Sequence, residues 1–319
     1  MKRAVLTGAT GFVGANLARR LLHDGHEVHL LVRHGYASWR IEEIRTHALV
    51  HEVDLADEGS LRALMRRLHP DWVFHLAAYG GYASQADLAR MVHTNFLATI
   101  NLVQACLTVG FEAFVNTGSS SEYGWRAHPP AEVEPLEPNS HYALTKASAT
   151  MFCRYTARSQ RVRMPTLRLY SVYGPYEEPT RLLPTVIARG LAGALPALVD
   201  PDIARDFVYA EDVSSAYLLA AAHDDPEPGA IYNVGTGVQT TLRQVVTIAQ
   251  RTLGITTEPH WGSMPNRSWD TTTWVADNRK ARRELGWQPQ YTFEQGFCAL
   301  VSWFRQHPDV ARWYAIRPS

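Results

Sequence analysis

The sequence predicts an α/β fold, a doubly wound parallel sheet with a smaller, interleaved C-terminal unit. Three observations predict it. Over the first 120 residues short apolar runs alternate with amphipathic stretches. Gly25 and Gly110 stand where two of those stretches stop. The 319-residue length also exceeds one ordinary domain. Taken in order, strands are expected at 3–6, 28–32, 49–53, 72–76 and 113–116, with helices at 13–24, 58–68 and a long one at 91–109. After about residue 125, Pro129, Pro130, Pro135 and Pro138 form a loop before a helix at 142–157 and a strand at 166–170. Pro175, Pro179 and Pro184 then mark irregular connections from which a second unit emerges. The last third carries helices at 242–253 and 280–285 and short strands at 231–234 and 274–275. With no repeat and no low-complexity linker, the division is residues 1–174, with returning segments near 205–235, against residues 175–319.

Charge gives no overall footprint for nucleic acid or an anionic membrane: 31 Lys and Arg balance 31 Asp and Glu. Any anionic ligand must be caught locally. Cys106, Cys153 and Cys298 are sparse and without CxxC spacing, which fits a reduced, cytoplasmic protein. The apolar start is broken at once by Gly8, Gly11 and Gly14, so it reads as a strand rather than a leader, and no run approaches the ~18 apolar residues of a spanning helix. His23, His26 and His29, with Glu27, straddle a helix end, a turn and a strand start and share no face, so no metal site is expected. Trp261, Trp269, Trp274 and Trp287 read as packing residues.

Thr7-Gly8-Ala9-Thr10-Gly11-Phe12-Val13-Gly14 joins the first strand to the first helix. Glycines there permit a tight turn and let backbone N–H groups approach a pyrophosphate, the mark of a Rossmann-type dinucleotide site. The second strand ends at Leu31-Val32-Arg33-His34, where an acid would bind ribose hydroxyls and an arginine accommodates a 2′-phosphate. Arg33 therefore points to NADP(H), with NAD(H) left open; His34, Ser38 and Arg40 are further donors. Asp54 and Leu55 follow the third strand toward the adenine, and Leu76, Ala77 and Ala78 follow the fourth toward the nicotinamide.

Tyr142 and Lys146 stand four apart on one helical face, so the ammonium is expected to lower the phenol's pKa for proton exchange with a sugar oxygen. Ser119, at the end of the fifth strand, can bond the same oxygen.

Seven stretches in order, TGATGFVG, HLAA at 75–78, the serine strand end, YALTK at 142–146, RLYSVYGP at 168–175, RDFVYAEDV at 205–213 and ADNRKARRELGW at 276–287, resemble the extended short-chain dehydrogenase/reductase family, the sugar-nucleotide epimerases, dehydratases and ketoreductases. The resemblance spans nearly the whole chain. It implies a Ser119/Tyr142/Lys146 active site, Asn95 supporting the lysine through ordered water, a nucleotide-diphosphate sugar as substrate, and Arg205 and Arg267 on its diphosphate. It also implies a homodimer formed through a four-helix bundle, with Ala98, Leu102, Ala105, Ala149, Met151 and Phe152 as candidate contacts. Ser84, Ser120, Ser171 and Arg181 complete the candidate substrate contacts, among cleft walls that include Tyr79, Tyr82, Gln85, Tyr173, Glu177 and Thr180.

Two departures bear on the reaction. Ser120 and Ser121 stand where 4,6-dehydratases of this family carry acids, which leaves only Glu122 for that role, and Ser171 replaces the asparagine of R-x-x-N-x-x-G-P. The expectation is NADPH-dependent reduction of a nucleotide-linked keto-sugar, a 4-ketoreductase acting on a 6-deoxy-hexose. The alternatives are an NAD-dependent epimerase, a 4,6-dehydratase and, from another class, a non-catalytic NAD(P)-sensing protein.

Overall fold

The alternating pattern becomes a seven-stranded, wholly parallel sheet. The computed structural model describes residues 1–82, 84–224, 227–265 and 271–315. The strands in chain order are β1 (Arg3–Thr7), β2 (Glu27–Val32), β3 (Leu49–Glu52), β4 (Trp72–His75), β5 (Ala113–Ser119), β6 (Thr166–Leu169), β7 (Ser171–Tyr173), β8 (Ala204–Arg205), β9 (Phe207–Tyr209), β10 (Ile231–Val234) and β11 (Thr240–Thr241). The central order is β10-β6-β5-β4-β1-β2-β3. Strand order reverses at β1/β4, and crossover helices cover both faces, which is the Rossmann arrangement.

Each face has its own core. One packs Leu17, Leu21, Leu30 and Phe74 against Val213, Tyr217 and Trp287; the other packs Leu61, Met65, Leu102 and Phe114 against Cys153 and Ala157. A third cluster gathers Tyr173, Val186, Ile187, Val245, Phe297, Leu300 and Phe304 away from the sheet. The Ala210–Ala222 helix and β10 return to the sheet, while β7 pairs with β9 and β8 with β11 beyond it.

Three expectations need correction. Residues 274–275 form no strand, and 231–234 is an edge strand of the main sheet. The expected helix at 91–109 is three pieces, Leu88–Met91, a π-helical Val92–Leu97 and Ala98–Leu107. A single inserted residue opens such a turn without disturbing the apolar spacing on either side. Ala98, Leu102, Ala105 and Ala149, named as dimer contacts, are buried inside the chain itself, whereas Met151 is 60% exposed and the neighbouring Leu144 and Tyr155 are also open.

The turn after β5 is fixed by a buried ion pair. Glu122 Oε1 accepts the Ser119 N–H at 2.8 Å and the Thr150 hydroxyl at 3.0 Å, and Oε2 accepts Arg168 Nε at 2.8 Å. Both partners are buried, at 0% and 2% exposure. Arg168 also lies over the Tyr123 ring, whose hydroxyl donates to Asn233 on β10. Gly118 is required beneath the pair, since a Cβ there would come within 2.7 Å of Glu122 Oε1. Removing the carboxylate alone strands a buried guanidinium, so Glu122→Ala should lower unfolding free energy by about 3–5 kcal/mol. Urea titration checks this, and Glu122→Leu with Arg168→Met should cost less than the single change.

Candidate active site

The candidate residues converge because parallel strands deliver their C-terminal ends to one edge. Gly8 follows β1, Arg33 follows β2, Asp54 and Leu55 follow β3, Leu76–Ala78 follow β4, Ser119 ends β5 and Ser171 follows β6.

At β1 the fit for a dinucleotide is steric. Gly8 has φ +71°, and a Cβ there would lie 2.5 Å from the Leu76 carbonyl carbon and 2.6 Å from Ala77 N. A Cβ on Gly14 would lie 2.3 Å from the Gly8 carbonyl oxygen. The Phe12–His23 helix starts at Gly11 with no side-chain cap and no acid in its first turn, leaving its N–H groups for an anion. Thr10, Gly11 and Val13 remain at least partly accessible there, while Phe12 is buried beneath.

The candidate proton-transfer groups sit on the His141–Gln160 helix, capped by the Ser140 hydroxyl, which accepts the Ala143 N–H at 3.1 Å. Tyr142 opens this helix and Lys146 follows one turn later, buried. The Ser119 side chain lies within hydrogen-bonding reach of the Tyr142 phenol. The phenol's pKa nevertheless rises to about 12, because burial outweighs that bond, and the expected lowering by Lys146 is not found. Burial also pushes the Lys146 ammonium down, against the pull of Glu122.

Asn95 lies in the π turn rather than an ordinary helix, and its side chain ties two segments together. Its Oδ1 accepts Tyr79 N–H at 2.8 Å, and its Nδ2 donates to Tyr79 O at 2.8 Å and to Thr145 Oγ1 at 2.9 Å. Thr145 in turn donates to Tyr142 O. Sequence reasoning missed Thr145, as it missed His75 of the HLAA stretch. His75 is fully buried, and its pKa is held down to about 3 by burial and by Lys146.

Among the cationic candidates, Arg33 is exposed and makes no ion pair or hydrogen bond among the described residues, whereas His34 pairs with Glu52 at 3.0 Å. Arg40 is not available to a cofactor phosphate. It is buried, donating to Tyr176 O at 2.8 Å and pairing with Glu178 at 3.0 Å. Arg181 lies 5.9 Å over the Tyr82 ring and 3.7 Å from the buried Glu177. Arg205 donates to Ala204 O and lies over Trp274, and the adjoining Asp206 is pinned by four bonds from Thr236, Gly237 and Ala276. Arg267 and Trp269 lie outside the described residues. Ser84 is exposed, Ser120 is buried and Ser171 is half-buried.

A family model described as NAD dependent epimerase/dehydratase matches residues 4–235. The chain belongs to this family. With it the chain is an enzyme of the extended short-chain dehydrogenase/reductase type. UDP-glucose 4-epimerase of Mycolicibacterium smegmatis is 32% identical over 314 residues, 95% of this chain and 98% of that protein. GDP-6-deoxy-D-mannose reductase of Pseudomonas aeruginosa is 30% identical, covering 94% and 96%. The crystal structure of Thermus thermophilus UDP-glucose 4-epimerase in complex with NAD matches at a TM-score of 0.83 and 28% identity, over 95% of this chain and 99% of that one.

Within the family's range of reactions, the geometry bears on dehydration. Ser120 and Ser121 offer only hydroxyls, and Glu122 has both oxygens committed to Ser119, Thr150 and Arg168. Glu122 is therefore a clamp on the serine turn, with both oxygens committed inside the protein.

Two outcomes follow from this geometry. Gly8→Ala forces a side chain into the backbone at Leu76 and Ala77, just beyond β4, at positive φ, a strain of about 1–3 kcal/mol, and should weaken dinucleotide affinity roughly tenfold or more by calorimetric titration. His75 carries a folded-state pKa below its unfolded value, so its contribution to stability is whole above about pH 6.5 and is lost as pH falls toward 3. Stability measured between pH 7 and pH 4 should therefore decline less steeply in His75→Gln than in the natural chain.

Proposed function

We propose that this enzyme interconverts C4 epimers of a nucleoside-diphosphate hexose, with UDP-glucose and UDP-galactose as the first pair to test and NAD as a retained cofactor. The end-to-end likeness to UDP-glucose 4-epimerases carries this reading. It displaces the ketoreductase expected from sequence. When bound, the dinucleotide supplies a two-electron acceptor that the cycle regenerates and, in its oxidised form, a positive ring charge that favours a nearby phenolate.

In this reading Tyr142 takes the proton of the reacting sugar hydroxyl and returns it to the oxygen after the sugar has turned its other face. Ser119 holds that same oxygen, and Lys146 holds the nicotinamide ribose beneath the phenol. Asn95 sets the catalytic helix against the loop at Tyr79. Arg205 and Arg267 take the diphosphate, as guanidinium forks suit paired phosphate oxygens. Ser84, Ser120, Ser171 and Arg181 line the sugar end. We assign nucleotide-sugar binding mainly to residues 175–319, the segment that supplies most of the third core cluster, and assembly to a two-fold dimer through the open Leu144, Met151 and Tyr155 face.

One observation favours a second reading. Arg33 is a cation without an ion-pair partner among the described residues, at the end of β2, the place from which a 2′-phosphate is read, and this supports an NADPH-dependent keto-sugar reductase. A single experiment separates the two: denature the purified protein, identify any released dinucleotide, and incubate the native enzyme with UDP-galactose without added cofactor. Released NAD and UDP-glucose formation support epimerisation. An empty protein that prefers NADPH and is inert toward both sugars supports reduction. Tyr142→Phe should hold cofactor and lose at least about a hundredfold in turnover, the scale of a lost general base.

A further inference from the structure

We infer that His75 and Thr99 are positioning residues, forming a one-way hydrogen-bond brace that locks the π turn of Asn95 to the dinucleotide turn. The role rests on the Tyr142/Lys146 active site proposed above. The brace begins at Thr7, the first residue of the glycine turn. Its Oγ1 accepts two backbone donors, Leu76 N–H and Ala77 N–H, each at 3.2 Å. With both lone pairs used, the Thr7 hydroxyl proton can go only to His75 Nδ1, 2.7 Å away.

The same direction is imposed from the far end. The Asn95 carbonyl can only accept, so Thr99 Oγ1, at 2.7 Å, must donate to it. Thr99 then accepts from His75 Nε2, at 2.9 Å. Both ends demand one state of the ring, neutral with the proton on Nε2, and an imidazolium would set a proton on Nδ1 against the Thr7 hydroxyl. Burial, with the Lys146 charge acting in the same direction, holds the ring in that neutral state.

The far end of the brace is where the chemistry sits. Asn95 is the residue that holds both the Tyr79 backbone and Thr145, and Thr145 lies between Tyr142 and Lys146 on the catalytic helix. Gly8, next to Thr7, packs on Leu76 and Ala77 so closely that no Cβ fits. His75 therefore fixes the separation between the turn that carries the dinucleotide and the helix that carries the proton-transfer pair.

The test uses the holoenzyme as purified, with Thr99→Val, which removes one hydroxyl at nearly constant volume, and with His75→Gln and His75→Leu. Thr99→Val is expected to retain dinucleotide and leave KM within about twofold while kcat falls about tenfold, with the apparent pKa in the kcat profile displaced. It should also raise hydrogen exchange in peptides spanning 76–82 and 88–99. His75→Gln keeps a donor toward Thr99 and should retain most of the kcat that His75→Leu loses. Nitrogen-15 NMR of the imidazole should show a neutral ring protonated on Nε2 from pH 7 to pH 5. Unchanged kcat, pH profile and exchange in Thr99→Val, or a ring protonated on Nδ1, would overturn the brace. If the natural enzyme turns over no nucleotide sugar, the proposed reaction fails, while exchange and imidazole state still decide the brace.

Discussion

A carboxylate taken out of water must find all its partners inside the protein, and Glu122 shows how much structure that demand organises. Its bonds reach the end of β5, the catalytic helix through Thr150, and β6 through Arg168. Through Tyr123 and Asn233 the same network touches β10, and Glu132 accepts the Asn233 N–H at 2.9 Å. Ser119 is therefore placed by a buried electrostatic knot rather than by the strand alone. A pair of this kind adds little net stability over a well-packed apolar substitute, but it tolerates no partial loss.

The His141–Gln160 helix is also held by different chemistry. Neutral hydrogen bonds running from Thr7 through His75 and Thr99 to Asn95 hold the π turn against the glycine turn. One network is ionic and the other neutral, and they reach the same helix through Thr150 and Thr145. Burial holds the Tyr142 phenol in its protonated form. In the role proposed for it, that phenol would need a positive charge beside it to act as a base, which would link proton transfer to an occupied cofactor site.

Local signals made much of this legible in the sequence. The glycine turn rests on a few adjacent residues and the parallel sheet on alternation over the first 120, while Ser119 ends a strand and Tyr142 and Lys146 share a helix as their spacing predicts. The missed features depend on distant partners. Arg40 reads as an available donor until Tyr176 and Glu178 arrive from 136 and 138 residues away. The π turn leaves the amphipathic pattern of its neighbours intact, so nothing in the periodicity announces it. Glu122 reads as a candidate acid because its pairing with Arg168, 46 residues on, belongs to the fold. The direction of the Tyr142 shift was missed for the same reason, since burial is a property of the packed chain.

Arg33 stands apart from both networks. It is exposed at the end of β2, beyond the buried ion pair and the histidine brace, with no ion pair or hydrogen bond among the described residues. If Arg33 reads the 2′-position, as in the second reading above, cofactor choice is a detachable module. A lineage could exchange one dinucleotide for the other by changing a few exposed residues at this rim, with the proton-transfer geometry inherited intact. On that reading the choice of cofactor and the choice of reaction can drift independently, so kinship in chemistry does not guarantee kinship in redox supply.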